Sequence, residues 1–262
     1  MGERKIVFRN EEIRYRVRNE DGIETILMLH AAFADSSLFQ DQVAYFEGDY
    51  RIVLIDLPGH GTNSGLSNRI TLKDMPEICC SILSEHRIQS CHLLGISLGS
   101  LVAQAFADQY PNQVKSVTMV GGYSVHKANK AILRAQKKEG LKWMLLVLFS
   151  MKRFKRYLLS VSCHTERGKR LFEQGIQAFS RRSFSSMSGM NSFLVPKSAP
   201  MPYPLFIVVG EHDLLLARQA ALELHRLESR SRMATIAGAG HCANADAPEE
   251  FNTLYRGFIS AL

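Results

Sequence analysis

Cys91-His92-Leu93-Leu94-Gly95-Ile96-Ser97-Leu98-Gly99-Ser100 is the stretch on which the reading of this chain turns. A short apolar run of strand length ends at Gly95, and a helical period runs from Leu98 to Gln109, stopped by Pro111. Between them stands G-x-S-x-G, a motif that needs a strand–turn–helix setting. The turn is tight, so side chains at 95 and 99 would clash, which explains glycine at both. It also turns the Ser97 hydroxyl outward at a helix N-terminus, where the dipole favours developing negative charge. Ser97 is therefore the candidate nucleophile.

A serine hydroxyl is a poor nucleophile until a base takes its proton. His241 fits that role. It sits in Gly238-Ala239-Gly240-His241, after a strand candidate at 232–236 and before a closing helix at 248–261. The base in turn needs a carboxylate to fix its tautomer and stabilise its cation. Asp213 follows the apolar run LFIVV (205–209) in Gly210-Glu211-His212-Asp213, with Glu211 as the alternative acid. Two backbone N–H groups should hold the oxyanion. One is Leu98, just after the nucleophile. The other belongs to His30-Ala31-Ala32-Phe33, and is assigned to Ala32, with Phe33 as the alternative.

The rest of the chain supplies a frame for these groups. Residues 26–30 (ILMLH), 52–55 (IVLI), 91–95 and 114–120 are apolar runs of strand length, as expected of strands buried on both faces. Residues 13–17 alternate apolar and charged, like an edge strand. Thr71 and Asp74 have the spacing of a helix N-terminus for a helix running to about Glu85. Strand and helix alternate, which implies an α/β fold with a mostly parallel sheet covered on both faces. The alternation breaks at residues 123–200, which read as several helices between two successive strands. The core is thus expected from 1–122 and 201–262.

The sequence resembles the α/β-hydrolase superfamily, and specifically its esterase, lactonase and C–C hydrolase-like members that carry a lid. The matching pieces are LMLHAAFADSS, DLPGHG at 56–61, GISLGS, GEHD and GAGHCANADAPEEF. The family's usual His-Gly is His30-Ala31 here. The resemblance implies that 123–200 is a helical lid over the site. Phe33, Phe149, Phe154 and Met187 are candidate substrate-binding residues, with Met151, Met190 and Phe193 as further candidates in the lid. It implies hydrolysis of a carboxylic ester, thioester or lactone with an apolar acyl part and no cofactor. C–C bond hydrolysis, a cofactor-free lyase reaction, or a non-catalytic small-molecule receptor on this fold are the alternatives.

Composition narrows the classes further. The 262 residues are 46% hydrophobic and 22% charged, enough for one large domain with a real core. Cys79, Cys80, Cys91, Cys163 and Cys242 show no ligand-like spacing, so packing thiols and no metal site are expected. The start, MGERKIVFRN, has charges where a signal peptide needs an apolar stretch, and the expected location is the cytoplasm. The net charge of +7 is uneven: residues 123–200 hold 16 Lys or Arg against 3 Asp or Glu. A solvated outer face is the simplest reading of that charge, and contact with an acidic membrane surface is the less favoured one. Nucleic acid is not expected, because no binding motif accompanies the charge.

Overall fold

A computed structural model describes residues 2–126, 140 and 142–262. The sheet has eight strands: β1 (Glu3–Phe8), β2 (Glu11–Arg18), β3 (Glu24–Leu29), β4 (Tyr50–Ile55), β5 (Cys91–Ile96), β6 (Val114–Val120), β7 (Leu205–Gly210) and β8 (Ser231–Ile236). Their order is β1-β2-β4-β3-β5-β6-β7-β8. The β1–β2 and β2–β4 pairs are antiparallel and every other pair is parallel. The chain moves from β3 outward to β4, then returns to lay β5 on the other side of β3. That reversal opens a crevice at the carboxyl ends of β3 and β5.

The pleat explains why the central strands are apolar throughout. In β3, Leu27 and Leu29 pack into one core while Ile26 and Met28 pack into the other. Val53 and Ile55 of β4 join the first, Ile52 and Leu54 the second. Alternate side chains face opposite layers, so both must be apolar. The helices α1 (Gln40–Phe46), α2 (Met75–Glu85), α3 (Leu98–Gln109), α4 (Met151–Ser162), α5 (Glu166–Ile176), α6 (Leu215–Leu227) and α7 (Pro248–Ile259) complete the fold. The Asp74 carboxylate accepts from the Thr71 N–H at 2.9 Å, just ahead of α2.

The β2 region differs from the expectation of an edge strand. β1 lies outside it and forms the edge, with Glu3, Arg4 and Lys5 exposed. The segment between β6 and β7 is helical at 142–149, α4 and α5, and part of the expected 123–200 unit, at 127–139 and 141, lies outside the described residues. Its two ends meet. His126 Nδ1 lies 2.9 Å from the Val195 carbonyl, and Asp108 of α3 takes both His126 Nε2 at 3.0 Å and Lys197 Nζ at 2.8 Å. No helix among the described residues is long and apolar enough to cross a membrane.

Candidate active site

Ser97 has φ 50° and ψ −109°, a conformation that side chains rarely take and that costs about 1–3 kcal/mol unless its surroundings impose it. They do. A Cβ on Gly95 would lie 2.5 Å from Ser100 N and Cα, and one on Gly99 would lie 2.0 Å from the carbonyl oxygen of Leu29. The turn therefore closes on itself and against the end of β3 at once. Leu98 opens α3, so its N–H has no acceptor within the helix.

His241 and Asp213 meet directly. His241 Nδ1 donates to Asp213 Oδ1 at 2.8 Å, and the same oxygen accepts from the Leu214 N–H at 2.7 Å. This leaves Nε2 of the ring free to accept a proton. Burial of the ring opposes its protonation, but the Asp213 charge and hydrogen bond outweigh burial and raise the His241 pKa above its ordinary value. Glu211, two residues earlier, is exposed and accepts from the Gly238 N–H at 2.9 Å. The carboxylate that meets His241 is thus that of Asp213.

One corner of the sheet joins the serine to the histidine. The Ser97 N–H donates to the Val120 carbonyl at 2.8 Å. The next residue, Gly121, has φ +58°, and a Cβ there would lie 2.8 Å from His241 Nδ1. Gly121 lets the ring sit flat against the end of β6. Its signal in the sequence is Gly121-Gly122 directly after a strand run.

The loop after β3 is held by two buried imidazoles. His30 Nδ1 donates to the Ala31 carbonyl at 2.7 Å while its Nε2 accepts from the Leu57 N–H at 2.8 Å. His60 Nδ1 donates to the Pro58 carbonyl at 2.9 Å while its Nε2 accepts from the Phe33 N–H at 3.0 Å. Burial lowers the His30 pKa, and burial with the neighbouring His30 pushes that of His60 down to about 3. Both rings are neutral at ordinary pH and their tautomers are set by backbone. Asp56 accepts from the Ser36 and Thr62 N–H groups, each at 2.8 Å, joining the two loops.

This arrangement bears on the choice between Ala32 and Phe33. The Phe33 N–H is occupied by His60, whereas the Ala32 N–H has no acceptor among the described residues. The left-handed residue is Phe33, at φ 69°, so alanine at 31 carries no backbone strain.

The candidate substrate-binding residues do not all come together. Phe33 is buried among Trp143, Phe154, Phe179 and Phe184, with ring centroids 5.2, 5.3, 4.9 and 6.1 Å away. Phe154 is fully buried there, and half-buried Met187 packs against both cores. Phe149, by contrast, is 77% exposed and takes no part in that cluster. Met151 packs half-buried on the same side as Phe154, while Met190 and Phe193 pack into the opposite core.

Asp246 is a further residue that sequence reasoning did not single out. One oxygen accepts from Gly240 N at 2.7 Å and His164 N at 2.8 Å, the other from Thr165 N at 2.8 Å and Thr165 Oγ1 at 2.7 Å. It ties the loop carrying His241 to the start of α5. His164 also stacks on His212, beside Asp213, with centroids 3.9 Å apart. Cys242 is buried; its contact with Cys163 and burial keep the thiol protonated, so it is no rival nucleophile. Among the described residues no group of three His, Cys, Asp or Glu side chains could hold a metal.

Known proteins agree with this architecture. The model of the alpha/beta hydrolase family matches residues 26–254. A 2-hydroxy-6-oxononadienedioate/2-hydroxy-6-oxononatrienedioate hydrolase of Klebsiella pneumoniae is 25% identical, covering 92% of this chain and 88% of its own. An (E)-2-((N-methylformamido)methylene)succinate hydrolase of Acinetobacter baylyi is 20% identical, with 90% of each covered. Among solved structures, a thermophilic esterase from Thermogutta terrifontis superposes with a TM-score of 0.82 at 16% identity, covering 100% of this chain and 99% of its own. A meta-cleavage product hydrolase superposes at 0.78 with 18% identity, covering 99% and 98%. With the family's pattern matched from β3 into α7 on an eight-stranded, mostly parallel sheet, this chain belongs to the alpha/beta hydrolase family.

Proposed function

We propose that the protein is a serine hydrolase that cleaves a carboxylic ester, thioester or lactone through an acyl-enzyme, with Ser97 as nucleophile, His241 as base and Asp213 as the orienting acid. The observation that carries this reading is the 2.8 Å His241–Asp213 hydrogen bond on the corner that also holds the strained Ser97 turn.

Ser97 Oγ adds to the carbonyl carbon while its proton passes to His241 Nε2. Nδ1–H stays on Asp213, which steadies the imidazolium. The oxyanion accepts from the Leu98 and Ala32 N–H groups, fixed in place before the substrate arrives. Collapse of this intermediate breaks the bond to the leaving group, which takes the proton from His241. Water, deprotonated by the same ring, then attacks the acyl-enzyme, releasing the acid and restoring Ser97. No metal or cofactor enters these steps. The aromatic cluster around Phe33 and Phe154 favours an apolar acyl group, and the segment between β6 and β7 serves as the lid that shapes this wall.

The names of relatives favour a second reading, hydrolysis of a C–C bond beside a ketone on the same residues. The aromatic wall argues against a dicarboxylate like those in the relatives' names. The test is a chain-length series of p-nitrophenyl esters beside a meta-cleavage diketone, with wild type and Ser97→Ala. Ester turnover lost by at least about 10³-fold in the variant supports the first reading. Turnover of the diketone alone supports the second. Inertness on both, with no labelling by a fluorophosphonate, overturns the nucleophile and leaves a binding protein.

A further inference from the structure

The helical segment between β6 and β7 carries a surface that hydrolysis at Ser97 does not use. Met144, Leu145, Leu148 and Phe149 are 59%, 47%, 69% and 77% exposed. They fall within six residues, on the helical stretch 142–149 and its end. Soluble surfaces rarely cluster large apolar side chains this way without a partner for them.

Cations surround this apolar stretch. Ser150 caps α4, its side chain accepting from the Arg153 N–H. The helix then buries Phe154 and Leu158 and turns Lys152, Arg153 and Arg156 outward. Arg181 donates to the Val147 and Leu148 carbonyls, which places the exposed Arg181-Arg182 pair against the same helix end. Residues 140–165 contain no Asp or Glu. Lys152, Arg153, Arg156 and Arg182 form no ion pair among the described residues. Behind the apolar residues lies an open apolar cleft of about 690 Å³, lined by Trp143, Leu145, Leu148 and Phe184 among others. Trp143 and Phe184 both contact Phe33, on the loop after β3.

We propose that this face is a membrane-binding surface, on which Leu148 and Phe149 enter the interface of an anionic phospholipid bilayer while Lys152, Arg153, Arg156 and Arg182 lie at the level of its phosphates. Apolar residues bordered by cations that have no ion-pair partner among the described residues suit such a bilayer, which offers hydrocarbon beneath a negative layer. A second copy of this chain suits it less, because a two-fold contact would press the same cations together. The charge count alone reads as a solvated face; the exposed apolar residues beside the cations change that reading. The proposal is independent of the chemistry at Ser97.

The test is co-sedimentation with sucrose-loaded vesicles of phosphatidylcholine, pure or with a third phosphatidylglycerol, at low and high salt. Wild type and Ser97→Ala should bind the anionic vesicles alike, and salt should release both. Lys152→Glu with Arg153→Glu should weaken binding by at least about fivefold per cation replaced. Leu148→Ser with Phe149→Ser should abolish it at unchanged thermal stability, since both side chains are already in solvent. Wild type left in the supernatant at low salt overturns the proposal. So does anionic-vesicle binding that survives the Leu148/Phe149 pair, or a dimer in light scattering that this pair converts to monomer.

Discussion

Removing the Asp246 carboxylate should loosen the loop that carries His241 and the start of α5 together. Asp246→Ala strips the acceptor from three backbone N–H groups, those of Gly240, His164 and Thr165. An unsatisfied buried donor costs about 1–3 kcal/mol. Gly240 is buried and carries that cost in full, whereas exposed His164 and half-buried Thr165 recover part of theirs from water. With those two at about half cost the sum is about 2–6 kcal/mol, and in a chain of this size it lowers Tm by roughly 4–24 °C. Thr165 still caps α5 through its own hydroxyl, which accepts from the Gly168 N–H, so the helix itself should persist. Asp246→Asn keeps one oxygen, which can still serve Gly240, and should cost less. The assay is urea unfolding of the three proteins, with a shared m-value confirming a shared unfolded state. Alongside it, kcat and KM are measured well below the lowest Tm. Gly240 precedes His241, so kcat should fall more than KM rises. A loss of stability under about 1 kcal/mol in Asp246→Ala would show instead that the lost acceptors are replaceable and that Asp246 does not hold the two segments together.

Gly121→Ala sets a methyl 2.8 Å from His241 Nδ1 in a left-handed backbone. It should cost about 1–2 kcal/mol from the backbone alone and at least tenfold in kcat/KM; unchanged ester hydrolysis would sink the corner argument. Asp213 raises the His241 pKa, and as the proposed base His241 must be unprotonated, so the acid limb of kcat/KM should have its midpoint above 6.5. Asp213→Asn removes the charge and leaves burial, so that limb should move to lower pH while the rate falls about 10⁴-fold. His60, held neutral to about pH 3, is protonated at higher pH once unfolded, so the unfolded chain binds more protons between about 3 and 6.5. Stability should therefore fall on acidification through that window, by up to about 1.4 kcal/mol per pH unit from this group. Chemical denaturation of His60→Gln should show a shallower slope.

The strand runs and the serine turn were legible because they depend on neighbours in the chain. The apolar run at 205–209 became β7, the period at 98–109 became α3, and the two glycines around Ser97 sit where a Cβ would collide. What stayed hidden depends on distant residues. β1 has no such signature, because its exposed start, Glu3 to Lys5, lacks the apolar mark of a buried strand. Asp213 and Glu211 both follow β7, and only the course of the loops sends one to His241 and the other to Gly238. Ala32 and Phe33 read alike until His60, 27 positions from Phe33, is seen to occupy one N–H. Asp246 reads as one more residue of the closing motif; its partners at 164 and 165 lie 82 and 81 positions earlier in the chain.

The clasp of His126, Val195 and Lys197 around Asp108 has a consequence for how this protein can change over generations. The chain leaves the sheet after β6 and returns before β7 through nearly one point, so the span between is a cassette whose ends are already closed. Lengthening or replacing it alters loop-closure entropy only logarithmically, and the sheet experiences the same two anchors whatever lies between. New pocket walls can be tried there while Ser97, Asp213 and His241 stay on the turns and loops that follow β5, β7 and β8. One condition travels with any exchange. The newcomer must still present N–H groups to Asp246, or the carboxylate that steadies the His241 loop keeps only its donor at Gly240. Descent in such a lineage should therefore scatter sequence freely across the cassette while sparing the short junction at His164-Thr165.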